Sequence, residues 1–526
     1  MRTFQYGVAL GALATLASCS PKNPYIWRPA RRQYGAQPVD SETLRATIDS
    51  DALLAHSRML EDFAYRQPDP ADRNRLMGGA GHNLTVEYVA GLLNATGYYD
   101  VELQPWSTLV PLGGNASFFA NGVSQNASLF SYSASGNVTA PVVAVSNLGC
   151  AASDYPAEVA GAIALVSRGT CEFGQKSALA GNAGAVGAAI YNNIPGGLNG
   201  TLGQPRALGP YVPTVGISQE AGLALVEVIA AGTEVTGALD VVSEIEFRAT
   251  NNVLAQTKGG NKNATLVVGA HSDSVAEGPG INDDGSGVVG ILEVALQLAN
   301  YTTTNAVRFG FWSGEEEGLL GSTFYVDSLS NASLAQIKLY LNFDMIASPN
   351  YFLGIYDGDG SSFNISGPPG SAEAERLFEE FFDSIGQNHT ATEFSGRSDY
   401  GPFLDVNIAS GGLFTGAEGI KTEEEEALFG GEAGVAYDVN YHGAGDNVTN
   451  LNMEAFLINT QAIAHSVATY ATSFESLNQT ALARRSVGGT NFRRSLHAPR
   501  CSPSCFGGGM QRRDRFRSTK LGVMYG

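Results

Sequence analysis

Histidines and carboxylates at particular loop positions define the chemistry this chain could do. Residues 269–287, GAHSDSVAEGPGINDDGSG, carry His271, Asp273, Asp283 and Asp284. Imidazole and carboxylate offer N and O donors to a zinc-type ion at about 2.0–2.2 Å. Four later stretches bring more such groups: Glu315, Glu316 and Glu317 in FGFWSGEEEG, Asp344 in YLNFDMIASPN, Arg397 and Asp399 in SGRSDYGP, His442 and Asp446 in YHGAGDN. Taken singly, acids at such places are ordinary turn residues and helix caps. Of the seven histidines, however, only His271 and His442 lie in loops of this kind. His56 and His465 fall in helical patterns and read as structural; His82, His389 and His497 read as surface residues. Two imidazoles with three carboxylates could hold two divalent ions that share one carboxylate, with a further carboxylate as base. Paired ions about 3.5–4 Å apart polarise a carbonyl and acidify water. The spare Glu can take a proton from that water and hand it to a leaving amine. Such chemistry is amide hydrolysis.

The elements that must position these groups can be read from apolar periodicity. Helical patterns cover 40–66 and 83–96, and Tyr98–Pro105 reads as a strand. Residues 108–245 change character, being rich in Gly, Ala and Val with short strand-like runs and few charges; they read as a small β-rich domain inserted into the first. From Phe247 onward, strands alternate with helices: Ala264–Val268, then 286–299; Ala306–Trp312, then Gly321–Leu329; Leu339–Phe343; Ser371–Asp383; Ser410–Leu413; and a last helix from Met453. This alternation predicts an α/β fold with a mostly parallel sheet flanked by helices. The acids fall at or just past the ends of apolar strands, where open α/β sheets place their sites.

Composition narrows the classes. The 526-residue chain has net charge −20, which argues against nucleic acid as a partner. Arg2, the apolar Tyr6–Leu16 and the small residues at 14–18 predict a secretory signal over 1–18, too short to span a membrane. Leu16-Ala17-Ser18-Cys19 also admits a lipoprotein-type reading. Residues 19–39 read as a pro-segment or linker, with dibasic Arg31-Arg32 as a processing point. Asn-x-Ser/Thr sites at Asn83, Asn94, Asn115, Asn126, Asn137, Asn199, Asn263, Asn300, Asn331, Asn364, Asn388, Asn447 and Asn478 predict a glycosylated secretory protein. Cys150 and Cys171 lie 21 apart in the inserted segment and form an expected disulfide; Cys501 and Cys505 admit a second. Residues 481–526, rich in Arg, Gly and Ser, are expected to be disordered.

In order and spacing, GAHSDSVAEGPGINDDGSG, WSGEEEGLLGS, LNFDMIASPN, GRSDYGPF, GGLFTGAE and YHGAGDN resemble the successive motifs of secreted co-catalytic zinc aminopeptidases. Among these the chain is similar to fungal vacuolar aminopeptidase Y and secreted leucine aminopeptidases. The resemblance covers roughly 40–475, and the inserted segment resembles a protease-associated domain. It implies a peptidase domain made of 40–107 and 246–480, with 108–245 inserted. It also implies two zinc ions, one held by His271 and Asp344, the other by Glu316 and His442, with Asp283 bridging. Asp273 would fix the His271 tautomer, Glu315 would be the general base, and Tyr441 and Arg397 would bind substrate or its oxyanion. Ungapped register sets Glu315 as base and Glu316 as ligand, and leaves Glu317 at a position usually apolar in relatives. Where some bacterial relatives have a disulfide near the last His motif, this chain has Asn440 and Gly445. A pocket for apolar side chains is implied near Gly411–Thr415. The implied partners are peptide substrates with a free N-terminus, cleaved by a monomer in a vacuole or outside the cell. A carboxypeptidase or glutaminyl cyclase on the same fold, or an inactive receptor-like ectodomain, are the alternatives.

Overall fold

The computed structural model describes residues 37–70, 73–205 and 207–478. The expected signal, nearly all of the linker, the basic tail, Cys19, Cys501, Cys505 and His497 lie outside these residues. The sheet that carries the loops comprises β1 (Tyr99–Ala120), β2 (Thr236–Thr257), β3 (Asn261–His271), β4 (Asn305–Trp312), β5 (Ile337–Phe343), β6 (Gly354–Tyr356), β7 (Thr390–Thr392) and β8 (Ser410–Phe414). Its order is β7-β6-β8-β5-β3-β4-β2, with β1 outside β2. The run β4-β3-β5-β8 is parallel, while β2 is antiparallel to β4 and β6 to β8. This is the mixed, mostly parallel sheet that the alternation predicts.

Burial explains the strand sequences. Every residue from Thr265 to His271 is buried, as in a strand covered on both faces, where apolar residues run continuously instead of alternating. The covering helix Gly285–Leu298 is apolar nearly all round, and only Gln297 escapes full burial. Its Val288, Ile291 and Leu292 share one core with Leu266, Val268, Leu341, Phe456, Ile463 and Val467. A side chain at Gly287 would collide with the Phe343 carbonyl, so only glycine lets the helix start this close to β5. That close approach places the helix N-terminus beside the ends of β3 and β5.

The inserted segment hangs on a two-stranded ribbon. β1 pairs with β2 from Tyr99↔Thr257 to Ala120↔Gly237. The sheet continues through β2 onto Gly136–Ala144, and the divisions expected at 107/108 and 245/246 fall inside these strands. Beyond the ribbon, parallel strands Ile163–Ser167, Gly187–Tyr191 and Thr214–Ile217 sort their side chains by twos into two cores. Ala164, Val166, Ala188 and Ile190 enter one; Ile163, Leu165, Ala189 and Val215 enter the other. The Cys150–Cys171 disulfide is present.

Several expectations need correction. The strand expected at Ala264–Val268 runs on to His271, and the one at Tyr98–Pro105 runs on to Ala120. The 40–66 pattern is two helices, Ser41–Arg45 and Ser50–Tyr65; Asp49 caps the second by accepting from the Asp51 amide at 3.3 Å. Helices Phe173–Asn182 and Gln219–Ala230 lie in the segment read as β-rich, where Gly and Ala blur helical periodicity. The short β6 and β7 gave no sequence signal. His82 is not a surface residue: it is fully buried on helix Ala80–Ala95, 2.9 Å from the Ser272 hydroxyl.

His465 is structural, as expected. Its Nδ1 lies 2.6 Å from the Ser41 hydroxyl and its ring stacks on Phe381. Burial, then the Arg45 charge, lowers it to about 4. The native imidazole therefore stays neutral while the unfolded one protonates below about 6.5. Its contribution to stability is present above that value and is lost as pH falls toward 4. Denaturant unfolding at pH 7 and pH 5 should show wild type and His465→Gln converging as pH drops, by at most about 1.4 kcal/mol per pH unit. A constant gap between the two would rule out this linkage.

Candidate active site

The expected site residues come together at the C-terminal ends of the parallel strands. His271 is the last residue of β3 and pairs in register with Trp312, the last of β4. Glu315 and Glu316 follow β4 in a turn whose Glu315 carbonyl accepts from the Gly318 and Leu319 amides. Asp344 directly follows β5. His442 arrives on the loop before the last long helix, Met453–Thr472.

Asp283 stands between the two histidines. One of its oxygens lies 3.1 Å from His271 Nε2 and the other 3.1 Å from His442 Nε2. Glu316 approaches His442 Nε2 from the far side at 3.1 Å. On the near side Asp344 lies 3.6 Å and Glu315 4.0 Å from His271 Nε2. Asp273 faces the other ring nitrogen, Nδ1, at 3.6 Å, and also accepts from the Glu315 amide at 3.3 Å. Its position fits a carboxylate that fixes the ring so that Nε2 points at the acids.

The charges here are arranged for cations between the carboxylates. Burial disfavours the charged form of His442, but Glu316 and Asp283 overcome it and lift the imidazole to about 11. His271 is driven up in the same sense, against its burial, chiefly by Asp344. Burial also acts to raise Asp283, yet its hydrogen bonds to both imidazoles hold it below the ordinary carboxylate range. In Glu315, burial wins, and the carboxyl stays well above its usual range with Asp344 and Glu316 adding to the effect. His271 Nδ1 and Glu316 Oε1 are buried without a hydrogen-bond partner. Donor atoms of His271, Asp283 and Glu316 lie within 4.8 Å of one another, as do those of His271, Asp284 and Asp344. An imidazole–carboxylate donor set with buried atoms left unsatisfied fits divalent zinc-type ions.

Asp284 belongs to the frame. Its oxygens accept from the amides of His271 (3.0 Å), Gly287 (2.9 Å) and Met345 (3.0 Å). Asp446, also a sequence candidate, clamps the loop by accepting from the Asn282 and Asp283 amides at 2.8 and 3.0 Å. Where some bacterial relatives are expected to have a disulfide, a polar network holds the last loop. Asn440 donates to Asn450, and Asn450 donates to Asp438 and Asp446. Asp399 is buried against the Ser322 hydroxyl and is not part of the histidine–carboxylate group. Sequence reasoning missed Ser398, whose hydroxyl donates to Asp344 at 2.6 Å, and Asn282, whose amide group donates to Asp438 at 2.7 Å. Neither carried a signal, since Ser and Asn in Gly-containing loops look like loop filler. Met345 and His442 have φ of 55° and 54°, a left-handed conformation that non-glycine residues hold only under strong constraint, often at functional sites.

A cavity of about 380 Å³ opens over these groups. Met345, Tyr356, Tyr400 and Phe414 give it apolar wall, in keeping with the pocket expected near Gly411–Thr415. Arg397 and Tyr441 both line it. The Arg397 guanidinium is held by Glu418 at 2.8 Å and donates to the Tyr441 hydroxyl at 3.3 Å; the Tyr441 ring stacks on His442. Tyr132, Thr201, Gly203 and Gln204 of the inserted segment close another side. Gln204 pins that wall to the ribbon by donating to Thr108, the Leu109 carbonyl and the Tyr132 hydroxyl.

The chain is similar to known proteins over most of its length. The family described as Peptidase family M28 matches residues 252–467, and the PA domain matches 138–225. Probable leucine aminopeptidase 2 of Aspergillus fumigatus is 52% identical over 504 residues, covering 94% of this chain and 97% of that protein. Leucine aminopeptidase 2 of Arthroderma otae is 52% identical over 440 residues, covering 83% and 87%. Among solved structures, the aminopeptidase from Aneurinibacillus sp. strain AM-1 superposes with TM-score 0.63 at 27% identity, covering 82% of this chain and 95% of that one. A zinc aminopeptidase from Bacillus subtilis does so with TM-score 0.51 at 25% identity, covering 83% and 96%. With the motifs, the strand-end geometry and this extent of similarity in agreement, the chain belongs to peptidase family M28.

Proposed function

We propose that this protein is an aminopeptidase that removes the N-terminal residue of peptides, using two zinc ions. The observation that carries the reading is Asp283, with one oxygen turned to each of two histidines that are themselves flanked by acids. His271 and Asp344 would hold one ion, Glu316 and His442 the other, and Asp283 both. Bound there, the ions would polarise the scissile carbonyl and acidify water. Glu315 takes the proton from that water and hands it to the leaving amine. Tyr441, oriented by Arg397, donates to the oxygen that gains charge. Asp273 holds the His271 ring. The free α-amine is a cation and is drawn to the acid-rich end of the cavity, while the apolar wall at Met345 and Phe414 receives the first side chain. The inserted wall at Thr201–Gln204 narrows the cavity and favours chain ends over internal segments.

The names of its relatives support the aminopeptidase reading over the alternatives on the same fold. A carboxypeptidase needs a cation to receive the terminal carboxylate, and the cavity's Arg397 already pairs with Glu418. The retained set of acids and histidines argues against an inactive receptor. The division into 40–107 plus 246–480 with 108–245 inserted, a monomeric state, and passage through the secretory route to a vacuole or the exterior are parts of the same proposal. The disulfide supports the secretory route, as does exposure of the sequon asparagines from Asn83 to Asn388; Asn447 is half-buried. Among the described residues no helix is long and apolar enough to cross a membrane.

A direct test compares leucyl p-nitroanilide with its N-acetyl form, before and after chelation and zinc return. Cleavage of the free-amine substrate alone, lost on chelation and restored by zinc, is the expected result. Cleavage of the blocked substrate alone would refute the reading.

A further inference from the structure

The loop that carries His271 and Asp283 is gripped by one side chain from some 200 residues upstream. Arg75 precedes helix Ala80–Ala95 and is fully buried, the only arginine among the described residues to be so. Its Nε donates to the Pro279 carbonyl at 2.9 Å, Nη1 to the Ser272 carbonyl at 2.6 Å, and Nη2 to the Gly280 carbonyl. Its backbone completes the clamp: the Arg75 amide donates to the Ser274 hydroxyl at 2.9 Å and its carbonyl accepts from the Ser274 amide at 3.2 Å. Neighbouring Asn74 donates to the Ala276 carbonyl at 3.0 Å.

Two features set this apart from an ordinary staple. The guanidinium joins both limbs of the loop. Ser272 follows His271 on one limb, and Gly280 lies three residues before Asp283 on the other. The fork therefore fixes the separation of those two site residues. The charge is also spent on backbone carbonyls instead of a carboxylate partner, so its field acts on Asp273, Asp284, Asp446 and Asp283 together. A buried guanidinium suits this role because its planar fork meets several acceptors at fixed angles and it stays charged; an ammonium cannot span them.

We infer that Arg75 is a positioning residue of the metal centre: it holds the His271–Asp283 loop in metal-receiving geometry before any ion binds. This rests on the two-zinc reading proposed above. Zinc titration of the wild-type chain tests that reading separately, and failure of wild type to take up two ions would count against it before any variant is made. The test of Arg75 is Arg75→Lys in the full chain, with zinc affinity measured by chelator competition. Zinc should bind about 10–100-fold more weakly, as for other residues that orient ligands. The kcat should fall at limiting zinc and recover largely when zinc is in excess, with KM nearly unchanged. Zinc affinity within about threefold of wild type would overturn the inference. Should the variant not fold, wild type still decides the matter. Stripped of zinc, its Arg75 and Ser274 amides should keep hydrogen-exchange protection within about tenfold of the loaded protein. Loss of that protection would mean that the ions, and not Arg75, hold the loop.

Discussion

Glu315→Gln should lower kcat on leucyl p-nitroanilide by roughly 10²–10⁴-fold, the usual worth of a positioned general base, while zinc content stays at the wild-type level. Glu317→Gln should leave kcat within about threefold. The pair is informative because three glutamates stand in a row and a slip of one residue would exchange their roles. Glu315 reaches to 4.0 Å from His271 and its amide is tied to Asp273. Glu316 points at His442, 3.1 Å away. Glu317 lines the cavity but has no short contact with either histidine, and its Oε2 is buried without a partner. Burial first, then Asp273 and Glu316, holds its carboxyl well above the ordinary range. A neutral amide of the same shape is therefore a mild change there. The quantities to measure are kcat, KM and bound zinc for each variant. A large loss in Glu317→Gln, with bound zinc reduced, and little change in Glu315→Gln would shift base and ligand by one position, to Glu316 and Glu317, and undo the register.

Asp283→Ala should be the most damaging single change, with activity falling by on the order of 10³-fold or more. Losing ions that stabilise the transition state by several kcal/mol has that effect, at about 1.4 kcal/mol per factor of ten. Both oxygens of Asp283 are engaged with imidazoles at 3.1 Å, so no other residue substitutes for the link between them. A second readout separates lost binding from lost folding. Excess zinc raises the melting temperature of a protein that binds it in the native state. Wild type should show that rise, and Asp283→Ala should show little or none relative to its own zinc-free melting temperature, which itself falls because two buried imidazoles lose their partner. Full zinc stoichiometry in the variant would exclude a bridging role.

The chain's own pattern determined a good deal. Alternating apolar runs and helical spacings specified a mostly parallel sheet, because a strand buried on both faces must be apolar throughout and a covering helix must repeat near 3.6 residues. The sites' whereabouts followed, since parallel sheets leave their strand ends open and His271, Glu315, Glu316 and Asp344 all sit there. Residue type identified the donors. Tertiary structure alone decided what holds those donors in place. Arg75, Ser398, Asn282 and Asp438 act through hydrogen bonds across long sequence gaps, and such bonds impose no spacing that could be read along the chain. His82 was misread for the same reason: its partner, Ser272, is 190 positions away. The ribbon of β1 and β2 likewise hid behind a change in composition at Ser107, because strand pairing depends on the facing strand and not on local sequence. Local pattern encodes periodic burial, whereas the polar framework of the site is encoded only in which distant segments meet.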